Sequence, residues 1–199
     1  MKWIGLTGGI ACGKSTVSLR LRDAGYPVID ADTLAHQVVA PGTSGLKSVL
    51  SEFGADLLTP EGLLDRRKLG QRVFGHPDRL RALEEILHPL IRKETERLKQ
   101  NYLESQTPIV IYDIPLLFET KAEHSFDKIV VVTCTKGQQK ERLQRKTQLS
   151  EEEIDMRIAS QIPLPYKEER ADFIVYNNKN EQHLLSEIKR LIDWLQSLA

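Results

Sequence analysis

One short stretch near the amino end constrains this chain more than any other: Gly8-Gly9-Ile10-Ala11-Cys12-Gly13-Lys14-Ser15. It follows an apolar run, Trp3-Ile4-Gly5-Leu6, and leads into a helical pattern. It therefore fits G-x-x-x-x-G-K-[ST] in the strand–loop–helix setting that this pattern requires. Glycines let the backbone wrap until successive N–H groups face a phosphate chain. Lys14 brings a positive charge for the β- and γ-phosphates, and Ser15 a hydroxyl for Mg²⁺. The helix that starts there aims its positive end at the same anion. The competing reading is a glycine-rich turn followed by a chance Lys-Ser. Such a loop does not name the reaction, because ATPases, GTPases, transporters and small-molecule kinases all use it.

The rest of the chain alternates short apolar runs with helical patterns, which predicts an α/β fold with a parallel sheet. Five strands are expected, at 2–7, 27–30, 109–113, 128–134 and 173–176. Runs such as Ile129-Val130-Val131-Val132 suit strands buried on both faces between helices. Helices are expected at 15–24, stopped by Gly25, and at 180–198, where Leu184, Ile188, Leu191 and Leu195 recur at helical spacing. The apolar face of that last helix is expected to dock on the sheet.

From about 41 to 107 the alternation breaks. Helical segments are expected at 64–74, 78–87 and 90–103, within an all-helical insertion between the second and third strands. Its arginines, Arg66, Arg67, Arg72, Arg79 and Arg81 among them, either sit on solvated faces or line a groove for an anionic substrate. The most charged stretch, 136–170, is either a mobile lid whose arginines close on phosphates or an ordinary charged hairpin.

In open α/β sheets the ligand crevice lies at the carboxyl ends of the strands. The second strand ends Val28-Ile29-Asp30-Ala31-Asp32, so its acids emerge at that edge. Asp32 is the candidate to orient, or take a proton from, an acceptor hydroxyl, while Asp30 is read as a helix cap. Asp113 ends the third strand in the manner of a carboxylate that holds Mg²⁺ directly or through water. Ile114 follows it, where many ATP-hydrolysing motors carry Glu. Asn178-Lys179-Asn180-Glu181 loosely resembles the guanine-reading N-K-x-D but ends in Glu, which weakens a GTPase reading.

A length of 199 residues suggests one domain with room for a substantial core. Lys+Arg and Asp+Glu number 28 each, so no basic excess supports a nucleic-acid partner. No apolar run approaches membrane-spanning length, and no signal peptide is expected. The two cysteines, Cys12 and Cys134, are read as free thiols of a reducing cytoplasm. The helix terminus and Lys14 could lower the pKa of Cys12, or Cys12 is simply a small residue tolerated in the loop.

Further motifs run the length of the chain. They include Leu6-Thr7-Gly8-Gly9-Ile10, Gly13-Lys14-Ser15-Thr16, Val28-Ile29-Asp30-Ala31-Asp32, Leu64-Asp65-Arg66, His88-Pro89, Ile114-Pro115-Leu116-Leu117-Phe118-Glu119, Arg157-Ile158-Ala159-Ser160-Gln161, Ala171-Asp172 and Asn177-Asn178. In combination they resemble the dephospho-coenzyme A kinase family. The resemblance implies a P-loop NTPase-type three-layer α/β fold with a five-stranded parallel sheet, an inserted helical substrate subdomain and a lid. It implies a single domain over 1–199, with a nucleotide-binding core at about 1–60 and 107–199, a substrate-binding insertion at about 61–106 and a lid at about 136–170.

The activity implied is transfer of the γ-phosphoryl group of ATP, with Mg²⁺, to the 3′-hydroxyl of dephospho-coenzyme A, the last step of coenzyme A synthesis. By the same resemblance Ala11, Cys12, Gly13, Lys14, Ser15 and Thr16 bind the ATP phosphates, and Asn177-Asn178 lies near the adenine, with Asn178 the residue expected to bind it. Lys14, Asp32, Arg142 and Arg145 serve catalysis. Asp32, Arg66 and His88 meet the acceptor, and Ser15 with Asp113 meet the metal. A cytoplasmic monomer or small homo-oligomer, with no nucleic-acid or membrane partner, is expected. Two departures stand out: Ala11-Cys12 where the family usually shows Gly-Ser, and Lys179 where it often has Gly. Another small-metabolite kinase, such as a nucleoside or shikimate kinase, and a nucleotide-binding regulatory module without turnover are the alternatives.

Overall fold

The computed structural model describes residues 1–198. The apolar runs form β1 (Lys2–Gly8), β2 (Val28–Asp30), β3 (Ile109–Asp113), β4 (Lys128–Thr133) and β5 (Phe173–Tyr176). They pair in parallel, as the alternation predicts, and lie in the order β2-β3-β1-β4-β5. All of β3, and β1 after its first residue, is buried, so neither run needs polar alternation. The helices are α1 (Lys14–Asp23), α2 (Ala31–Gln37), α3 (Ser44–Phe53), α4 (Arg66–Val73), α5 (Pro77–Glu104), α6 (Lys136–Lys146), α7 (Glu151–Ala159), α8 (Leu164–Glu169) and α9 (Glu181–Gln196).

The chain divides into two units. Met1–Asp30 with Gln106–Ala199 carries the sheet, and Ala31–Ser105 carries the helical insertion. In the first unit, side chains alternate between the two faces of the sheet. Ile4, Leu6, Ile109, Ile111, Val130 and Val132 pack on Val17 and Leu21 of α1 and on Leu184, Ile188, Leu191 and Leu195 of α9. Burial of each such Leu or Ile contributes about 1.5–3 kcal/mol. On the other face, Ile129 and Val131 pack on Leu117 and Phe118 from the segment after β3. The Asn178-Lys179-Asn180-Glu181 stretch proves to be a helix start. Asn180 caps α9, accepting the His183 N–H at 3.0 Å, and Glu181 complements the helix dipole.

The helical unit begins at Ala31, earlier than the start expected at about 61. The reason is that Val39, Val49 and Phe53 share one core with Leu57, Leu69, Val73 and the α5 side chains Leu83, Ile86 and Leu87. A second difference lies at Pro89. The separate helices expected at 78–87 and 90–103 are one helix, α5, with Pro89 inside it. Proline forfeits a helical hydrogen bond there. Packing on both sides outweighs the loss: Leu83, Ile86 and Leu87 are set in the core on one side, and Leu90 lies against Gly45 on the other.

Gly45 marks the closest approach in this unit. A Cβ there would collide with the Val38 carbonyl and come within 2.8 Å of Leu90 Cδ1. Gly45→Ala is expected to destabilise the protein by about 1–3 kcal/mol through overpacking. An unchanged denaturant midpoint would contradict this packing. In the other unit, Ala11 holds φ 58°, a left-handed conformation that costs a residue with a Cβ about 1–2 kcal/mol. Ala11→Gly removes that strain but gains freedom in the unfolded chain. The net expectation is a thermal midpoint higher by about 2–4 °C, read by calorimetry, and a fall would refute the strain.

Candidate active site

The turn between β1 and α1 carries the glycine-rich motif. A turn that directs its N–H groups at an anion directs its carbonyls the other way, and those carbonyls need donors. Each of three successive carbonyls meets a side chain. Ile10 O accepts from Gln139 Nε2 at 2.8 Å, Ala11 O from Arg142 Nη1 at 3.3 Å, and Cys12 O from Asn177 Nδ2 at 2.9 Å. Ile10 N–H donates to Gln161 Oε1 at 2.8 Å. Gly13 is left-handed at φ 93°, and a Cβ on it would strike the Asn177 amide. The first amides of α1, those of Lys14 and Ser15, have no intrahelical acceptor, and the first turn of α1 holds no acidic residue. The positive end of the helix is left for an external anion.

Lys14 pairs with Asp113 Oδ1, and the Ser18 hydroxyl donates to Asp113 Oδ2. Asp113 is only 2% exposed, while Lys14 keeps 20%, so the ammonium group remains open to a competing phosphate. Each oxygen of the Asp113 carboxylate already accepts one hydrogen bond, so a metal there would share it with Lys14 and Ser18. Ser15 is exposed. Among the described residues no three His, Cys, Asp or Glu side chains cluster as a metal cage. One open hydroxyl next to a phosphate cradle still fits Mg²⁺, which binds largely through substrate phosphates and water.

The lid-like stretch contributes more to this loop than its charge suggests. Arg142 bridges Ala11 O, Asn177 O at 2.9 Å and Asn177 Oδ1 at 3.3 Å, so it works as a strut of the loop. Arg145 is 74% exposed and pairs with Glu141 one turn away on the same helix. Lys140 ties α6 to α7 through Asp155 at 2.7 Å and Glu151 at 3.5 Å. The hydrogen bond from Lys140 holds Asp155 below the usual carboxylate range. At the far end, Lys167 of α8 is fully buried and donates to Glu119 Oε1 at 2.7 Å, which also accepts Ile162 N–H at 3.0 Å. This pins α8 to the segment after β3.

Asn178 is exposed, and it is the neighbouring Asn177 that reaches the loop. Thr16 is exposed on α1. Asp32 is exposed in the first turn of α2, directly beyond Asp30 at the end of β2. Arg66 opens α4 and His88 lies within α5, both exposed. The helical unit therefore carries all three expected acceptor residues. Gln139, Gln161 and Ser18 were not legible as site residues in the sequence, and Asn177, expected near the adenine, was not legible as a brace of the loop. Only Gln161 and Asn177 stood in recognisable motifs, whereas Gln139 and Ser18 carry no sequence signal of their own.

The family model for dephospho-CoA kinase matches residues 2–183. A dephospho-CoA kinase of Bdellovibrio bacteriovorus is 61% identical over 198 residues, spanning 100% of this chain and 98% of its own length. A solved protein from Thermus thermophilus is 34% identical with a TM-score of 0.79, covering 98% of this chain and 97% of that one. The solved dephospho-CoA kinase from Campylobacter jejuni is 31% identical with a TM-score of 0.74, covering 96% and 95%. A phosphate loop braced at three carbonyls, on a sheet of this order, in a chain matched over nearly its whole length, leads to one assignment: the chain belongs to the dephospho-CoA kinase family.

Proposed function

We infer that this chain transfers the γ-phosphoryl group of ATP to the 3′-hydroxyl of dephospho-coenzyme A, releasing ADP and coenzyme A. The observation that carries the reading is the braced loop with the Lys14 ammonium beside it, in a chain with full-length kinase relatives. The acceptor oxygen forms a bond to the γ-phosphorus, the bond to the ADP oxygen breaks, and the acceptor proton leaves. Such a transfer asks the protein mainly for positioning and charge neutralisation.

Residues Ala11, Cys12, Gly13, Lys14, Ser15 and Thr16 hold the phosphates, with the Lys14 and Ser15 amides, which have no acceptor within α1, among the donors. Lys14 leaves Asp113 for the β- and γ-phosphates as the nucleotide binds. Arg142 keeps the loop in shape through Ala11 and Asn177, and Arg145, free to leave its exposed pair with Glu141, closes on the phosphates. Asn177 and Asn178 border the adenine. Mg²⁺ would be held by Ser15 together with the nucleotide, with Asp113 behind it, and would neutralise phosphate charge.

The helical unit takes the acceptor, through Asp32 at the ribose hydroxyl and through Arg66 and His88. The exposure of these three side chains supports that role. Two buried free thiols fit a cytoplasmic setting, as does the finding that no helix among the described residues is long and apolar enough to cross a membrane. A monomer or small homo-oligomer, with no nucleic-acid partner, completes the proposal.

A coupled ADP-release assay with a panel of acceptors tests the reaction. Strong stimulation by dephospho-coenzyme A alone is expected. Stimulation only by nucleosides or shikimate, or nucleotide binding without turnover, would refute it. Lys14→Ala is expected to lower turnover by about 10²-fold or more, with folding checked by a thermal melt, because it removes transition-state charge stabilisation. Unchanged turnover would void the loop assignment. Asp32→Asn is expected to lower kcat while ATP affinity is kept. A pure rise in the KM for ATP would move Asp32 to nucleotide or metal binding.

A further inference from the structure

The two cysteines of this chain lie far apart in sequence, yet their sulfurs meet. Cys12 Sγ and Cys134 Sγ are 3.1 Å apart, and both residues are buried. Cys12 sits inside the phosphate loop, between two left-handed residues, Ala11 and Gly13. Cys134 follows the end of β4 and directly precedes Thr135, the cap of α6. That helix is the one whose Gln139 and Arg142 hold the loop carbonyls. A disulfide sulfur–sulfur bond is about 2.05 Å long, so closure needs a movement of about 1 Å. We propose that Cys12 and Cys134 are a redox modification site, in which hydrogen peroxide joins the two thiols and the resulting disulfide switches off the phosphate loop.

The chemistry assigns a separate task to each sulfur. Cys134 lines a cavity of about 590 Å³ beside Lys136, Gln139 and Gln161, which gives a small oxidant a path to its sulfur. The hydrogen bond with Cys12 and the charge of Arg142 both pull the Cys134 thiol below its ordinary range. Cys12 moves the other way, pushed up chiefly by its hydrogen bond to Cys134 and by burial. From the sequence, Cys12 is either a thiol lowered by Lys14 and the helix terminus or a small residue tolerated in the loop. The structure assigns the lowered thiol to Cys134, because the ammonium of Lys14 is paired with Asp113 and it is Arg142 that bears on the sulfurs.

Cys134 is then the attacking thiolate and Cys12 the resolving thiol. The Cys134 sulfur attacks one oxygen of the peroxide and the O–O bond breaks. The departing hydroxide takes a proton and leaves as water, and Cys134 is a sulfenic acid. The Cys12 sulfur attacks that sulfur, the S–O bond breaks, and the hydroxide takes the Cys12 proton to leave as a second water. Two thiols are oxidised by two electrons and one peroxide is reduced to two waters. Reduction by an external dithiol reverses the bond.

The consequence follows from where Cys12 sits. Its N–H donates to Gly9 O at 3.1 Å and its carbonyl accepts from Asn177, so the residue is a fixed part of the cradle. A shift of about 1 Å in a positioning group costs about 10²-fold in rate. The loop then holds its phosphates out of line while the sheet beneath stays folded.

The test treats the full-length protein with hydrogen peroxide, removes the excess with catalase, and denatures it in iodoacetamide. The expected result is a protein that has lost two hydrogens, takes up no label and yields one crosslinked peptide pair containing Cys12 and Cys134. ADP release with ATP and dephospho-coenzyme A falls about tenfold or more, and dithiothreitol restores it. Binding of a fluorescent ATP analogue, read in parallel, reports on the loop independently of turnover. Cys134→Ser is expected to keep the activity of the reduced protein and to ignore peroxide. Two thiols still open to iodoacetamide would overturn the site. So would a crosslink between two chains, a disulfide that leaves activity and nucleotide binding unchanged, or a Cys134→Ser protein inactivated as fast as the parent.

Discussion

A backbone that turns its amides toward an anion must find donors for the carbonyls that face away, and much of the sheet unit is arranged around that requirement. Three carbonyls in a row, those of Ile10, Ala11 and Cys12, are each met by a side chain from a distant part of the chain. Two of the donors come from α6 and the third from Asn177, the residue directly after β5. Without them the turn would bury unsatisfied oxygens, at a cost of about 1–3 kcal/mol each. The cradle is therefore held open by its surroundings before any phosphate arrives, and this is the sense in which it is preorganised.

The same arrangement gives the stretch between β4 and β5 a second purpose beyond that of a cover. Gln139, Arg142 and Gln161 all belong to it, and all three reach the loop. Lys167 and Glu119 fasten its far end to the sheet with a buried ion pair. A buried pair of this kind adds little net stability but is costly to break, so it fixes position more than it adds free energy. The thiol contact between Cys12 and Cys134 lies in this same seam, where a small displacement acts on the nucleotide cradle directly.

Lys14 and Asp113 illustrate how the loop manages charge. The carboxylate is almost wholly buried and both of its oxygens are hydrogen-bonded, so its burial leaves neither oxygen without a partner. The ammonium group is half of that arrangement and also the one positive group in the motif that a phosphate chain seeks. In the reaction proposed above, binding would exchange one anionic partner for another, and the Ser18 hydroxyl is a second donor to the carboxylate.

The sequence by itself determined the layering of the sheet unit, because fully buried parallel strands need unbroken apolar runs and such runs are visible in any single chain. It also determined the anion-binding turn, since glycine spacing and Lys14 state a backbone geometry and a charge at once. Side-chain identity along α9 likewise marked the face that packs. Tertiary structure alone decided which residues brace the turn. Gln139 and Ser18 look like any polar residues until the fold sets them beside Ile10 O and Asp113. It also decided that α5 runs through Pro89, because contacts on either side outweigh a local preference that a sequence window reads as a break. The start of the helical unit at Ala31 and the meeting of Cys12 with Cys134 belong to the same class. Both depend on contacts between residues far apart in the chain, and local periodicity carries no information about those.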